Sequence, residues 1–177
     1  DWLRSAALSI LREDGHGVWI GTPNGLLHID QRKGAPHHTL IGEANGLGHD
    51  VVRCLHRDRS GSIWVGTAFG GVSKFTSEAF LYITERDGLG SRIVSAVHRT
   101  PDGTLWIGTL GGGLSYYDGQ RMTHLPPPTG PPSPYITCLA TDAQGHLLVG
   151  TATHGLHRFR AGHWEQVWSA DAPQAQQ

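Results

Sequence analysis

An all-β fold of four repeated, four-stranded units is predicted by three observations: an internal period near 42 residues, an excess of glycine, and the lack of helical periodicity. The period is carried by Trp19-Ile20-Gly21-Thr22, Trp64-Val65-Gly66-Thr67, Trp106-Ile107-Gly108-Thr109 and Leu148-Val149-Gly150-Thr151, whose first residues are spaced by 45, 42 and 42 positions. A Gly-Leu or Gly-Val pair follows each one, at Gly25-Leu26, Gly71-Val72, Gly113-Leu114 and Gly155-Leu156. Three residues before the tryptophan slot stand Gly61, Gly103 and Gly145; the first repeat has His16 there, between Gly15 and Gly17. The 25 glycines in 177 residues are about twice the usual share. Inside a globular domain they mark many tight turns, and so many short strands.

Each unit reads as four strands. The first alternates apolar and small residues (Ala7 to Leu11, Val51 to Leu55, Ile93 to Val97, Tyr135 to Leu139). A polar turn follows, at Glu13 to Gly17, Asp58 to Ser62, Thr100 to Thr104 and Asp142 to His146, and leads into the Trp-centred second strand. The Thr-x-x-Gly segment then turns, because glycine enters positive φ without steric cost. Third strands are expected at Leu26 to Ile29, Val72 to Phe75, Leu114 to Tyr117 and Leu156 to Phe159. Fourth strands are expected at His38 to Ile41, Phe80 to Ile83, Met122 to Leu125 and Trp164 to Trp168. Ten positions before each Trp slot lies a small residue: Ser9, Cys54, Ala96 and Cys138. Convergence of first strands on a common axis explains that regularity. It makes both cysteines buried packing residues rather than a disulfide or a nucleophile.

The strings Gly61 to Val72 and Asp102 to Leu114 resemble two-component regulator propeller repeats, and Asn45-Gly46-Leu47 and Asp87-Gly88-Leu89 match the same pattern between units. The resemblance covers roughly residues 5 to 168. It implies β-propeller blades at about 5–41, 50–83, 92–125 and 134–168, either closed as a small ring or part of a larger propeller. The four-blade region ends by residue 169, and residues 170–177 read as a flexible tail or linker. The resemblance also implies a periplasmic sensor module of a membrane-anchored bacterial signalling protein, homodimeric in its full-length form. The Pro126 to Pro134 segment is expected to be a stiff connector within the repeat array, not a domain boundary.

Composition narrows the partners. A formal net charge of −1 with 16% charged residues argues against nucleic acid and against a polybasic membrane contact. No stretch approaches the ~18 apolar residues of a membrane-spanning helix, and no basic-then-apolar leader opens the chain. With Asp1 first and Met122 as its one methionine, the chain is expected to be an excised or processed piece.

In a propeller the turns between strands two and three share one face with the loops that enter each blade. The expected ligand-binding set on that face is Asn24, His49, Asp50, Arg53, Phe69, Arg92, Leu110, Tyr135 and His154. Its mixture of aromatic, imidazole, guanidinium and carboxylate groups suits a small polar ligand such as a carbohydrate or organic acid. Other blades of the same protein are the second class of partner. No nucleophile elbow, phosphate loop or His-Glu-x-x-His motif is present, so no catalytic residue and no cofactor is assigned. His56 and His98 occupy equivalent slots, but the other two repeats place Leu11 and Ala140 there, short of the three or four ligands zinc needs. They are expected to be partly buried and metal-free. Two alternatives stand beside the sensor reading: a structural or dimerising propeller segment without its own ligand, and a metal-assisted propeller lyase.

Overall fold

The computed structural model describes residues 7–12, 17–30, 37–76 and 80–169. Among the described residues sixteen strands form four antiparallel sheets, each a meander in chain order. The first blade holds β1 (Ser9–Arg12), β2 (Gly17–Thr22), β3 (Gly25–Asp30) and β4 (His37–Ile41). The second holds β5 (Val52–Arg57), β6 (Ile63–Thr67), β7 (Val72–Phe75) and β8 (Phe80–Ile83). The third holds β9 (Val94–Arg99), β10 (Leu105–Thr109), β11 (Leu114–Tyr117) and β12 (Met122–Leu125). The fourth holds β13 (Ile136–Thr141), β14 (Leu147–Thr151), β15 (Gly155–Arg160) and β16 (His163–Trp168). The expected segments match these to within about two residues. Residues 170–177 and the first turn, from Glu13 to His16, lie outside the described residues.

The blades pack face to face in chain order, with β1 against β5, β5 against β9 and β9 against β13. Three apolar clusters fill the three interfaces. Trp19, Leu26, Val52, Ile63 and Val65 form the first; Trp64, Val72, Val94, Leu105 and Ile107 the second; Trp106, Leu114, Ile136, Leu147 and Val149 the third. Each cluster combines the tryptophan of one blade with two second-strand residues of the next. The glycine after each tryptophan is where the following blade comes closest: a Cβ on Gly21 would lie 2.6 Å from Val52 Cγ1, and one on Gly108 2.5 Å from Ile136 Cγ2. Only a bare backbone lets the next first strand seat there.

The turn before each tryptophan also repeats. Asp58 N–H bonds Ser62 O and Gly61 N–H bonds Asp58 O, with the same pair at Thr100 to Thr104 and Asp142 to His146. The glycine takes φ of +86°, +97° and +89° in the three turns, which a side chain would resist. Asp58 Oδ1 accepts the N–H groups of Ser60 and Ser62, while Oδ2 accepts the Trp64 indole N–H at 2.9 Å. Thr100 Oγ1 accepts the Trp106 indole at 3.1 Å in the same way. Burial works against the Asp58 charge, but hydrogen bonds from Ser60, Trp64 and Ser62 and the Lys74 ammonium outweigh it and hold the carboxyl below its usual range.

The two outer faces differ from the three inner interfaces. Trp168 is 58% exposed where Ile83, its counterpart, is buried. Leu148 and Leu156 are half-buried where Trp64 and Val72 are covered. Behind the first blade, Ile10 is 67% exposed and Val18 and Ile20 are half-buried, whereas Ile63 and Val65 are buried. Cys138 corrects the sequence reading: Cys54 is partly buried between blades, but Cys138 is exposed, because no described blade covers its sheet. Burial pushes the Cys54 thiol up to about 12, so it stays a thiol. Among the described residues nothing covers one front face and one back face, so light scattering is expected to show a mass that rises with concentration. A constant single-chain mass would mean that these faces find cover within the chain.

Candidate functional site

The loop face is built by the threonine that ends each second strand. Thr67 Oγ1 donates to Gly71 O and accepts the N–H of Gly70; Thr151 Oγ1 donates to Gly155 O and accepts the N–H of His154. Thr22 and Thr109 donate to Gly25 O and Gly113 O in the same way. Each turn is then tied to an entry loop: Ala68 N–H to Val51 O, Gly71 N–H to Arg92 O, Leu110 N–H to Ile93 O, Gly113 N–H to Pro134 O and Ala152 N–H to Tyr135 O. The two classes of loop therefore form one backbone-bonded layer, from which their side chains project.

Eight of the nine sequence-selected residues lie in these loops, and Arg53 stands just inside β5. His49 and Phe69 meet edge to face, with ring centroids 5.2 Å apart, and Phe69 is 54% exposed. His49 Nδ1 accepts the Val51 N–H and Nε2 lies 3.9 Å from Glu43 Oε1. Asp50 is engaged within its loop, where Oδ1 accepts the Glu43 N–H at 2.8 Å and Glu43 Oε1 accepts the Asp50 N–H. Arg92 is exposed, its N–H bonded to Glu85 Oε1, the counterpart of Glu43. Leu110 and Tyr135 form an isolated bridge between the third and fourth blades, with Tyr135 half-exposed. Asn24 and Arg53 are exposed, and Asn24 N–H bonds Thr22 Oγ1. His154 Nδ1 lies 2.8 Å from Thr153 Oγ1. His49, Phe69 and Asp50 are thus neighbours, as are Leu110 and Tyr135; Asn24 and His154 sit in the first and last blades.

A cavity of about 480 Å³ opens beside the fourth blade, lined by Pro127, Pro128, Pro132, His157, Trp164 and Gln166. The proline segment that reads as a connector in the sequence forms one wall of it. Trp164 donates its indole N–H to Thr129 O, and Gln166 donates from Nε2 to His154 O, which fixes the opposite wall. His157 is 5% exposed, and its Nδ1 is buried without a hydrogen-bond partner among the described residues. The repeat explains why. In the second and third blades Ser73 and Ser115 stand in this slot and accept the N–H groups of Gly48 and Gly90. In the fourth, Pro132 occupies the glycine position and has no N–H. Burial also holds the His157 ring below its ordinary pKa. The paired departure, serine to histidine and glycine to proline, was legible in the aligned repeats and marks this cavity.

Among the described residues no group of three or more His, Cys, Asp and Glu converges as a metal site would require. No helix among them is long and apolar enough to cross a membrane.

Residues 46–69 and 88–111 match the two component regulator propeller family, each match spanning an entry loop and the first two strands of a blade. No curated protein sequence matches the chain. Among solved structures, the chain is similar to the extracellular domain of a putative hybrid two component system from B. thetaiotaomicron, with 23% identity, a TM-score of 0.76, and coverage of 87% of this chain and 21% of that one. A second such extracellular domain from the same organism gives 17% identity and a TM-score of 0.76, over 93% of this chain and 25% of that one. Virginiamycin B lyase from Staphylococcus aureus gives 16% identity and a TM-score of 0.70, over 94% of this chain and 56% of that one. These likenesses show the fold. The chain spans about a fifth to a quarter of the length of the two extracellular domains.

Proposed function

We propose, for a chain that carries two component regulator propeller repeats, that it is a ligand-sensing segment of an extracytoplasmic sensor and performs no chemistry of its own. The observation that carries this reading is the loop-face cavity at the fourth blade. Its proline and tryptophan walls offer an apolar floor, and the buried His157 nitrogen offers an unused polar contact, the mixture that small-molecule sites present. A small polar ligand such as a monosaccharide or organic acid suits that lining. The rigid loop layer would carry the effect of occupancy into neighbouring blades. Its influence on an output domain can be no larger than the ligand's difference in affinity between two blade arrangements.

The test is a thermal-shift and calorimetric screen with a panel of monosaccharides and small organic acids. At least one compound is expected to raise the melting temperature. Gln166→Ala is expected to weaken that compound by about tenfold or more while leaving the unliganded melting temperature nearly unchanged. Phe69→Ala with Arg92→Ala reports whether the ligand extends across the layer toward the second and third blades. A panel without a single binder, or a binder indifferent to all three substitutions, would overturn the assignment.

A further inference from the structure

At the opposite end of the blades, the first strands bring cationic and imidazole groups together along the inner edge. His56 and His98 hold the same place in β5 and β9, and their rings stand edge to face with centroids 5.9 Å apart. His98 Nε2 lies 2.5 Å from Thr141 Oγ1 of the next blade. His56 Nε2 is buried and has no hydrogen-bond partner among the described residues, a condition rare enough in folded proteins to require a reason. Both histidines line a cavity of about 320 Å³ together with Arg57, Arg59, Arg99 and Thr141. Three guanidinium-bearing residues thus gather at one cleft in a chain whose formal net charge is −1.

The charges around His56 can be followed element by element. From β9 come His98 and Arg99, both of which disfavour a second positive charge; from its own turn comes Asp58, which favours one. Asp58 is already shared, 3.5 Å from Arg99 and 4.0 Å from Lys74. From β6 the residue paired with His56 is Trp64, which is uncharged, and on the other side β1 ends at the exposed Arg12. Among the described residues, the charged groups that act on His56 are thus more often positive than negative, around an imidazole nitrogen with no described hydrogen-bond partner.

We propose that this cleft between the second and third blades is an oxyanion site, taking a carboxylate, sulfate or phosphate group against His56, His98 and Arg59. Arginine suits such groups because its planar fork matches two oxygens at once. A bound anion supplies a partner for His56 Nε2 once that atom carries a proton, and offsets the repulsion between the two rings. Burial and that repulsion hold the His56 ring down at about 4, so it is neutral near pH 7, and binding an anion draws a proton onto it. Affinity then rises as pH falls. The site is separate from the loop-face cavity, and the two readings stand or fall independently.

Calorimetric titration with sodium sulfate, which does not titrate in this range, tests the proposal at constant ionic strength against a chloride control. Saturable binding is expected, tighter by about tenfold at about pH 5.5 than at about pH 8. Arg59→Ala, a change at an exposed turn position, is expected to weaken sulfate by about threefold or more at both pH values. His56→Gln is expected to remove most of the pH dependence. A parallel acetate titration shows whether planar or tetrahedral oxyanions bind more tightly. Absence of saturable binding of either anion at both pH values, sulfate binding untouched by Arg59→Ala, or a pH dependence that survives His56→Gln would each overturn it.

Discussion

Replacing Trp64 by alanine is expected to cost about 3–5 kcal/mol of stability, the range for emptying a buried aromatic site. Trp64 is 2% exposed and lies in the cluster between the second and third blades. The Lys74 ammonium sits 5.1 Å above its ring, and the Tyr117 ring lies 6.0 Å away. Its indole N–H also satisfies Asp58 Oδ2, a carboxylate in a residue only 7% exposed. Loss of the ring therefore opens a cavity and removes one of the hydrogen bonds that keep Asp58 charged. Leu148→Ala is the internal comparison: it fills the same slot in the fourth blade, but it is half-buried with no described blade in front of it. Its loss is expected to stay near 1 kcal/mol, because a partly exposed site forfeits less burial and leaves no closed cavity. Urea unfolding of the two variants checks the contrast. A Trp64→Ala loss below about 1 kcal/mol would contradict the blade interface described above.

What the sequence revealed, and what it hid, follows from how far each interaction reaches. Strands and turns depend on neighbours along the chain, so the Trp-x-Gly-Thr and Gly-Leu signals place all four sheets. The partners of the tryptophans were also present: Asp58 and Thr100 each stand six residues before their Trp, a spacing as regular as that of the glycines. Burial of a face depends instead on whether another blade lies against it. Cys54 and Cys138 are equivalent by position, and only the packing of β5 against β9 separates a partly buried thiol from an exposed one. The loop face was legible as a face, less so as a set of available side chains. Asp50 offers a carboxylate in the sequence, yet its Oδ1 closes its own loop against Glu43. The short 3-10 turns at Glu43–Asn45 and Glu85–Asp87, which create that arrangement, have too few residues for periodicity to reveal.

The repeat glycines give a second large expected effect, in the opposite direction of volume. Gly108→Val is expected to destabilise the chain by about 1–3 kcal/mol or more, the cost of forcing extra carbon into a filled interface. Even a single added methyl would lie 2.5 Å from Ile136 Cγ2 and 3.0 Å from Ile136 Cβ. Ile136 has no exposed surface and belongs to the first strand of the following blade, so it cannot swing aside without moving that strand. The clash involves a pair of residues, so a double-mutant cycle decides it. Ile136→Ala alone should cost about 2–5 kcal/mol, and combining it with Gly108→Ala should cost less than the sum, since each change relieves the other. Gly150 supplies the contrast. The three atoms nearest its added methyl, Cys138 Sγ, Thr137 Oγ1 and Cys138 O, all belong to its own blade. The cysteine side chain can rotate toward the uncovered face, so Gly150→Ala should cost under about 1 kcal/mol. Equal losses at Gly108 and Gly150, or strict additivity with Ile136→Ala, would mean that these glycines are kept for turn or strand reasons rather than for the approach of the next blade.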